Sequence, residues 1–305
     1  MSDGSRSRSL RSKSLVSRNV CPPVSFAAPS STSSQEAIKI VAPGSKLSGL
    51  TPAELALLRQ KQSKLVKDAL STLSLLTAKH AHNALNATLI FAQYEAGSAV
   101  CIHPAGWILT CSHCFGDDEE EYEIVEKRRW LLFYTGMAVQ VECRQWDLVR
   151  DLALLKIIAI ESDAGEDGDI PIFSFVSRSL RAPTSRSPIV CIGQPGRDDL
   201  ESTSSKRTKY NLVEVSKGTF RGMIPGANPH ENSEIGTLKH DAWTYWGHSG
   251  APLLLEEDGT LVGLHSSWDD QTMMRHGVPL IAIKQFVQQH LTTTPVQSTS
   301  ASAEF

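Results

Sequence analysis

The chain has 305 residues, 41% of them apolar and 21% charged, with a formal net charge of −3. That is an ordinary globular composition with enough material for a sizeable core, and it offers neither a basic field nor interleaved aromatic and basic residues for nucleic acid. No apolar run approaches the roughly 18 residues of a membrane span, and no apolar segment follows the N-terminal basic residues, so neither a span nor a signal peptide is expected.

Residues 1–48 are rich in serine and arginine and hold few apolar residues, so a disordered tail is predicted there. A mitochondrial transit peptide has the same basic, acid-poor texture and stays open as an alternative. Thr51-Pro52-Ala53-Glu54 then combines a cap, a proline at the first helical position and the acid of a capping box. Leu55, Leu58, Leu65, Ala69, Leu73 and Leu76 recur at helical spacing, so an amphipathic helix is predicted over 51–80. It can pack on its own domain, the favoured reading, or pair with a second copy as a homo-oligomer.

From residue 85 to 290 short aliphatic and β-branched runs alternate with turn residues: NATLIFAQ, GSAVCIH, GWILTC, WLLFYTG, AVQVECR, DLALLKIIAI, SPIVCIG, YNLVEVSKG, APLLLEE, LVGLHSS and GVPLIAI. About a dozen strands at this spacing predict an all-β fold of barrels or sandwiches. Some 200 residues make two small barrels, one over about 85–165 and one over about 185–285. LIAIKQFVQQHL reads as a closing helix, and residues 292–305, rich in Thr, Ser and Pro, as a second disordered tail.

Six cysteines (Cys21, Cys101, Cys111, Cys114, Cys143 and Cys191) are too few for a disulfide scaffold. Without an export signal they are expected to be free thiols, and the protein intracellular: cytoplasmic or nuclear, with mitochondria as the other compartment.

Three stretches carry candidate chemistry. In YWGHSGAPLL, glycines flank Ser249 on a sharp turn, presenting its hydroxyl and leaving amide N–H groups available. In GWILTCSHCF, His113 sits just past a strand among small residues. In WDLVRDLALLKI, Asp151 stands immediately before an apolar strand, where a carboxylate has to be hydrogen-bonded; Asp147 is the rival acid. Serine nucleophilic catalysis needs such a hydroxyl, a base and a carboxylate that orients the base.

Order and flanks together resemble the trypsin-like serine protease superfamily: a histidine after a strand, then D-L-A-L-L-K, then G-x-S-G-x-P. The HtrA/Deg branch is the most similar. GSAVCIHPAGWILTCSHCF, VCIGQPG, LVEVSKGTFRG, HDAWTYWGHSGAPLL, GTLVGLHSS and GVPLIAI match that branch's motifs in family order over about 86–290. The resemblance implies two six-stranded β-barrels with the triad in the cleft between them. It implies a serine endopeptidase acting on peptide or protein substrates, without cofactor or metal. Ser249 would be the nucleophile, His113 the base and Asp151 its orienting acid, with the N–H groups of Gly247 and Ser249 as oxyanion hole. Ala242, Trp243, Thr244, Ser266, Ser267, Trp268 and the region of Gly277 would line the specificity pocket.

The departures from the family carry expectations of their own. His248 replaces the aspartate that pairs with a new N-terminus in cleavage-activated relatives, so no proteolytic activation is expected. Cys114 follows His113 but its usual partner position holds no cysteine, so no such disulfide is expected. The pocket-floor position falls on Trp243 rather than an acid, which speaks against a preference for Lys or Arg and for a small or medium apolar side chain. No PDZ module is expected after the last helix.

Two rival readings stay open. Cys101, His103, Cys111, His113 and Cys114 lie close enough in sequence to bind zinc, in a spacing that fits no standard finger. A catalytically silent protease-fold scaffold is the other, because fold alone does not prove activity. The acidic run GDDEEEYE at 116–123 reads as a solvated loop, or as a rim that steers basic substrates.

Overall fold

The computed structural model describes residues 37–74, 79–94, 96–163, 169–198 and 207–291. In chain order these form β1 (Lys39–Val41), α1 (Pro52–Ser74), α2 (Lys79–Ala87), β2 (Thr88–Phe91), β3 (Ser98–His103), β4 (Trp107–Thr110), α3 (Glu119–Ile124), β5 (Arg128–Phe133), β6 (Ala138–Asp147) and β7 (Leu152–Glu161). The second half adds β8 (Pro188–Gly193), β9 (Glu214–Met223), β10 (Leu238–His240), β11 (Pro252–Leu255), β12 (Leu261–Trp268), β13 (Arg275–Pro279) and α4 (Leu280–Leu291).

The strands close into two antiparallel six-stranded barrels. The first runs β7-β4-β3-β2-β5-β6 and is closed by the pairing of β6 with β7; the second runs β10-β13-β12-β11-β8-β9. Closure leaves neither barrel an open edge of unpaired backbone groups. The near-continuous apolar run of β7 follows from burial on both its faces. Ala153, Leu155 and Ile157 fill the first barrel, while Leu152 and Leu154 face outward into a core shared with Ile192, Leu254 and Leu264 of the second barrel and with Ile283 and Phe286 of α4. That shared core fixes the two barrels against each other, and the ends of β4, β7 and β12 meet beside it.

The tail predicted over residues 1–48 is ordered from residue 37 onward. β1 adds in parallel to β7, with Lys39 opposite Ala159 and Val41 opposite Glu161. Ile40 enters the first barrel's core, and the Ser48 carbonyl accepts the Trp130 Nε1–H at 2.9 Å. The short apolar run AIKIV is what orders this piece, and the tail's average composition hides it. Residues 1–36 and 292–305 lie outside the described residues.

The capping box at the start of α1 forms: the Glu54 N–H donates to Thr51 Oγ1, and the Thr51 N–H to Glu54 Oε2 at 2.8 Å. Leu58, Lys61 and Leu65 bury the inner face against the first barrel. Lys61 Nζ donates to the Phe91 carbonyl at 2.6 Å and to that of Tyr94. Arg59 pairs with Glu161 at 2.6 Å. Of the apolar face that the sequence offered for pairing between copies, Leu58 and Leu65 are therefore covered by the chain's own domain. Lys79–Ala87 is helical too and takes in Asn86 and Ala87 of the predicted first strand, burying Ala84, Leu85 and Ala87. No helix among the described residues is long and apolar enough to cross a membrane.

Candidate active site

His113 lies in a one-turn 3-10 helix, Ser112–Cys114, directly after β4. The turn is held by the Phe115 N–H to the Ser112 carbonyl at 2.8 Å, by Trp146 Nε1–H to the same carbonyl at 2.9 Å, and by the buried Phe115 ring. Asp151 sits in the turn from β6 to β7 with φ of +52°, a left-handed conformation that aspartate tolerates better than most residues. The Asp151 N–H donates to the Leu148 carbonyl at 3.2 Å, and Asp147 is occupied by Arg150 at 2.5 Å. Of the two candidate acids, it is Asp151 that meets the histidine.

The Asp151 carboxylate is 4% exposed and collects four donors. Oδ1 accepts from His113 Nδ1 at 2.9 Å, from the His113 N–H at 3.3 Å and from Ser112 Oγ at 3.0 Å; Oδ2 accepts from Ser266 Oγ at 2.6 Å. Burial pushes its pKa up. The His113 ring and the hydrogen bonds from His113 and Ser266 outweigh that and hold the carboxyl below the ordinary aspartate range. It is therefore charged at neutral pH and fixes His113 with Nδ1 turned inward.

Ser249 comes from the second barrel, on the loop between β10 and β11. Gly247 and Gly250 have φ of +94° and +81°, so both need the freedom of glycine. At Gly250 there is no room for more: a Cβ would lie 2.2 Å from the Ser98 carbonyl oxygen and 2.3 Å from Thr110 Oγ1. Ser98 pins this loop to the first barrel. Its N–H donates to the Ser249 carbonyl at 3.0 Å, its hydroxyl donates to the Gly247 carbonyl at 3.1 Å, and the same hydroxyl accepts the Gln194 N–H at 2.9 Å. Among the described residues the N–H groups of Gly247 and Ser249 have no acceptor. Ser249 Oγ lies 3.5 Å from the Ser266 carbonyl, and the Cys114 thiol lies 4.0 Å from the Ser249 carbonyl. Ser249, Ser266, Asp151 and His113 thus form one connected cluster across the two barrels.

His248 is wholly enclosed, with Nδ1 within reach of both the N–H (3.2 Å) and the carbonyl (3.0 Å) of Tyr245. Burial lowers its pKa to about 4, only partly offset by the Tyr245 contact, so it is neutral. Of the residues expected around the specificity pocket, Ala242 is packed into the second barrel's core, and Gly277 fits so tightly that a Cβ would lie 2.3 Å from the Leu264 carbonyl. The Trp243 carbonyl accepts Ser216 Oγ at 2.6 Å, and its ring contacts Tyr210 with centroids 4.7 Å apart. Thr244 and Ser266 are buried; Trp268 is 38% exposed at the rim. Ser267 Oγ is enclosed without a hydrogen-bond partner among the described residues. Two cavities of about 420 Å³ each share no residue with this site; His80 and Gly259 line one, Arg181 and Glu256 the other.

Donor atoms of Cys111, His113 and Asp151 fall within 4.8 Å of one another, which revives the question of a metal. The chemistry of the set is against one. Burial first, and then the Asp151 charge, push the Cys111 thiol well above its usual pKa, and it donates to the His265 carbonyl at 3.4 Å. A thiol so held is a poor source of the thiolate that zinc binds. Cys101 is likewise pushed up to about 12 by burial and donates to the His103 carbonyl. The five cysteines among the described residues are free thiols. The acidic run is not a loop: Asp118 caps α3, accepting the Glu121 N–H at 2.8 Å.

The family model for the trypsin-like peptidase domain matches residues 97–264, which span the histidine, the aspartate and the serine. The chain belongs to the trypsin-like peptidase family. A search of curated proteins gave no significant match. Two residues of this trypsin-like peptidase escape a reading of the sequence. Ser98 is visible only as part of a G-S-A-V run, and its grip on Gly247 spans 149 residues of chain. Ser112 adjoins the histidine, but nothing in SHC says that its hydroxyl supports the acid.

Proposed function

We propose that this trypsin-like peptidase is a serine endopeptidase acting through Ser249, His113 and Asp151. His113, held by Asp151 through Nδ1, takes the Ser249 proton on Nε2 as Oγ attacks the peptide carbonyl. The imidazolium then protonates the leaving amine, and water hydrolyses the acyl-enzyme by the same route in reverse. The N–H groups of Gly247 and Ser249 receive the oxyanion; loss of one such donor costs about 3 kcal/mol of transition-state stabilisation. The observation that carries the reading is the charged Asp151, bound to His113 Nδ1 at 2.9 Å, beside a glycine-turned serine with two unengaged N–H groups.

The motif order supports an HtrA/Deg-like type. His248 supports activity without zymogen cleavage, because its Nδ1 is engaged by the backbone of Tyr245 and the ring carries no charge for a new N-terminus to pair with. Free thiols support a reducing, intracellular setting. The test is digestion of an unfolded protein substrate, with products mapped by mass spectrometry. Wild type cleaves internal peptide bonds, while His113→Ala and Ser249→Ala do not. Equal cleavage by wild type and both variants would overturn the reading.

A further inference from the structure

Behind Ser249 the second barrel holds a row of three buried imidazoles. His240 Nε2 and His265 Nδ1 share a hydrogen bond of 3.0 Å, with ring centroids 5.2 Å apart. The His248 ring follows edge-on, 6.3 Å from that of His265. Exposure is 0% for His240, 5% for His265 and 0% for His248. None carries charge at neutral pH: burial above all depresses His240 to about 3, His248 to about 4 and His265 well below the usual histidine value, and the charge of Arg275 lowers all three further.

One cation recurs among those neighbours. Arg275 opens β13 and stands directly opposite both His240 on β10 and Trp268 on β12, and directly opposed residues share a sheet face. His265 pairs with Gly277, two residues along β13 from Arg275, and so lies on the same face. That face is the barrel interior, since a Cβ on Gly277 would meet Leu253 of the second barrel's core. Trp268, 38% exposed, marks the point where this interior opens to solvent. The opening adjoins the nucleophile, because the residue between His265 and Ser267 is Ser266, whose carbonyl lies 3.5 Å from Ser249 Oγ.

Among the described residues the guanidinium of Arg275 has no anion. Its Nε is enclosed without a hydrogen-bond partner, and no ion pair or hydrogen bond engages the side chain among the described residues. The nearby acids are committed elsewhere: Asp241 to Thr219 and Arg221, Asp151 to His113 and Ser266, Asp269 to Gln271 and Thr272. A half-buried cation whose Nε is enclosed without a counter-charge is costly in the empty protein and matches a ligand that brings one.

We propose that Arg275 and His265 form a carboxylate-recognising specificity pocket, so that the enzyme cleaves after acidic residues, Asp or Glu, in place of the small apolar side chain that the sequence led us to expect. Arg275 binds the incoming carboxylate through its fork of N–H donors. His240 donates from Nε2 to His265 Nδ1, which keeps the His265 proton on Nε2, where it serves as a further donor. The neutral row supplies polarity without a competing charge. This assignment rests on the peptidase reading above.

The test is a set of fluorogenic peptides that differ only in the residue before the scissile bond: Glu, Asp, Gln, Leu or Lys. Wild type is expected to cleave the Glu or Asp peptide with kcat/KM about 100-fold or more above the Leu and Lys peptides, as a site built on hydrogen bonds discriminates. In Arg275→Gln the ratio of acidic to Leu cleavage falls by a similar factor, Arg275→Lys retains part of it, and Arg275→Glu turns the preference toward Lys. A variant that only disturbs folding lowers all peptides together and leaves the ratio intact, which would overturn the assignment. Wild-type cleavage after Leu or Lys at the acidic rate would overturn it too, while leaving the peptidase reading in place. Cleavage of none of the peptides, by a protein whose Ser249 also fails to react with a fluorophosphonate, would overturn both.

Discussion

Ser266, on the second barrel, donates its hydroxyl to Asp151 Oδ2, on the first, at 2.6 Å. The acid proposed to orient the base is therefore held from both barrels, and its position reports on how they are docked. Ser266→Ala removes a buried hydrogen bond to a charged group, so a loss of about 1.5–3 kcal/mol in stability is expected, together with a lower kcat. Urea denaturation and steady-state kinetics on the same preparation check both.

Asp151→Asn keeps the shape of the cluster but removes the charge that steadies the imidazolium and its tautomer. A fall in kcat of about 10⁴-fold is expected, with little change in KM. The folded pKa of Asp151 lies below its unfolded value. Its contribution to stability is therefore present above the unfolded aspartate range, near about pH 4, and is lost as pH falls through the lower folded value. Denaturation of wild type against Asp151→Asn from pH 6 down to pH 2 should show the wild type losing stability more steeply below pH 4.

The buried imidazoles act in a higher pH window, with the opposite dependence on charge. Their folded pKa values, about 4 for His248 and about 3 for His240, lie below the unfolded value of 6.5. Above pH 6.5 they are neutral in both states and contribute nothing to the pH dependence. As pH falls below 6.5 only the unfolded chain takes up the protons, so stability drops by about 1.4 kcal/mol per pH unit for each histidine until the folded pKa is reached. Denaturation midpoints between pH 7.5 and 5 should fall steeply, and His248→Asn should make the slope shallower by about one proton. A flat profile over that range would mean that the row is not neutral.

Gly250→Ala should be among the most damaging single methyl additions in the chain. The residue adopts φ of +81° and a Cβ would meet the Ser98 carbonyl oxygen at 2.2 Å. Backbone strain and a steric clash together should cost about 3 kcal/mol or more. Thermal denaturation should show the loss, and the loop that carries Ser249 should become accessible to limited proteolysis.

Much of this architecture is legible in the sequence because it is written locally. Alternating apolar runs mark the strands, Thr51 and Glu54 mark the start of α1, and the flanks of His113, Asp151 and Ser249 carry a recognisable order. What escapes depends on contacts between distant segments. Ser98 looks like any serine in a strand until the fold brings it to Gly247. β1 is hidden in a polar tail because its partner, the edge beside Ile160, exists only once β7 is in place. His240, His265 and Arg275 are three unremarkable residues on three strands, joined only by the cross-strand register.

The most direct test of the central claim is reaction of purified protein with a fluorophosphonate probe, followed by mass-spectrometric mapping of the modified residue. An activated serine beside a formed oxyanion hole predicts labelling at Ser249 alone, abolished in Ser249→Ala and strongly slowed in His113→Ala. A folded wild type that does not react, or one that reacts equally in Ser249→Ala, would contradict it.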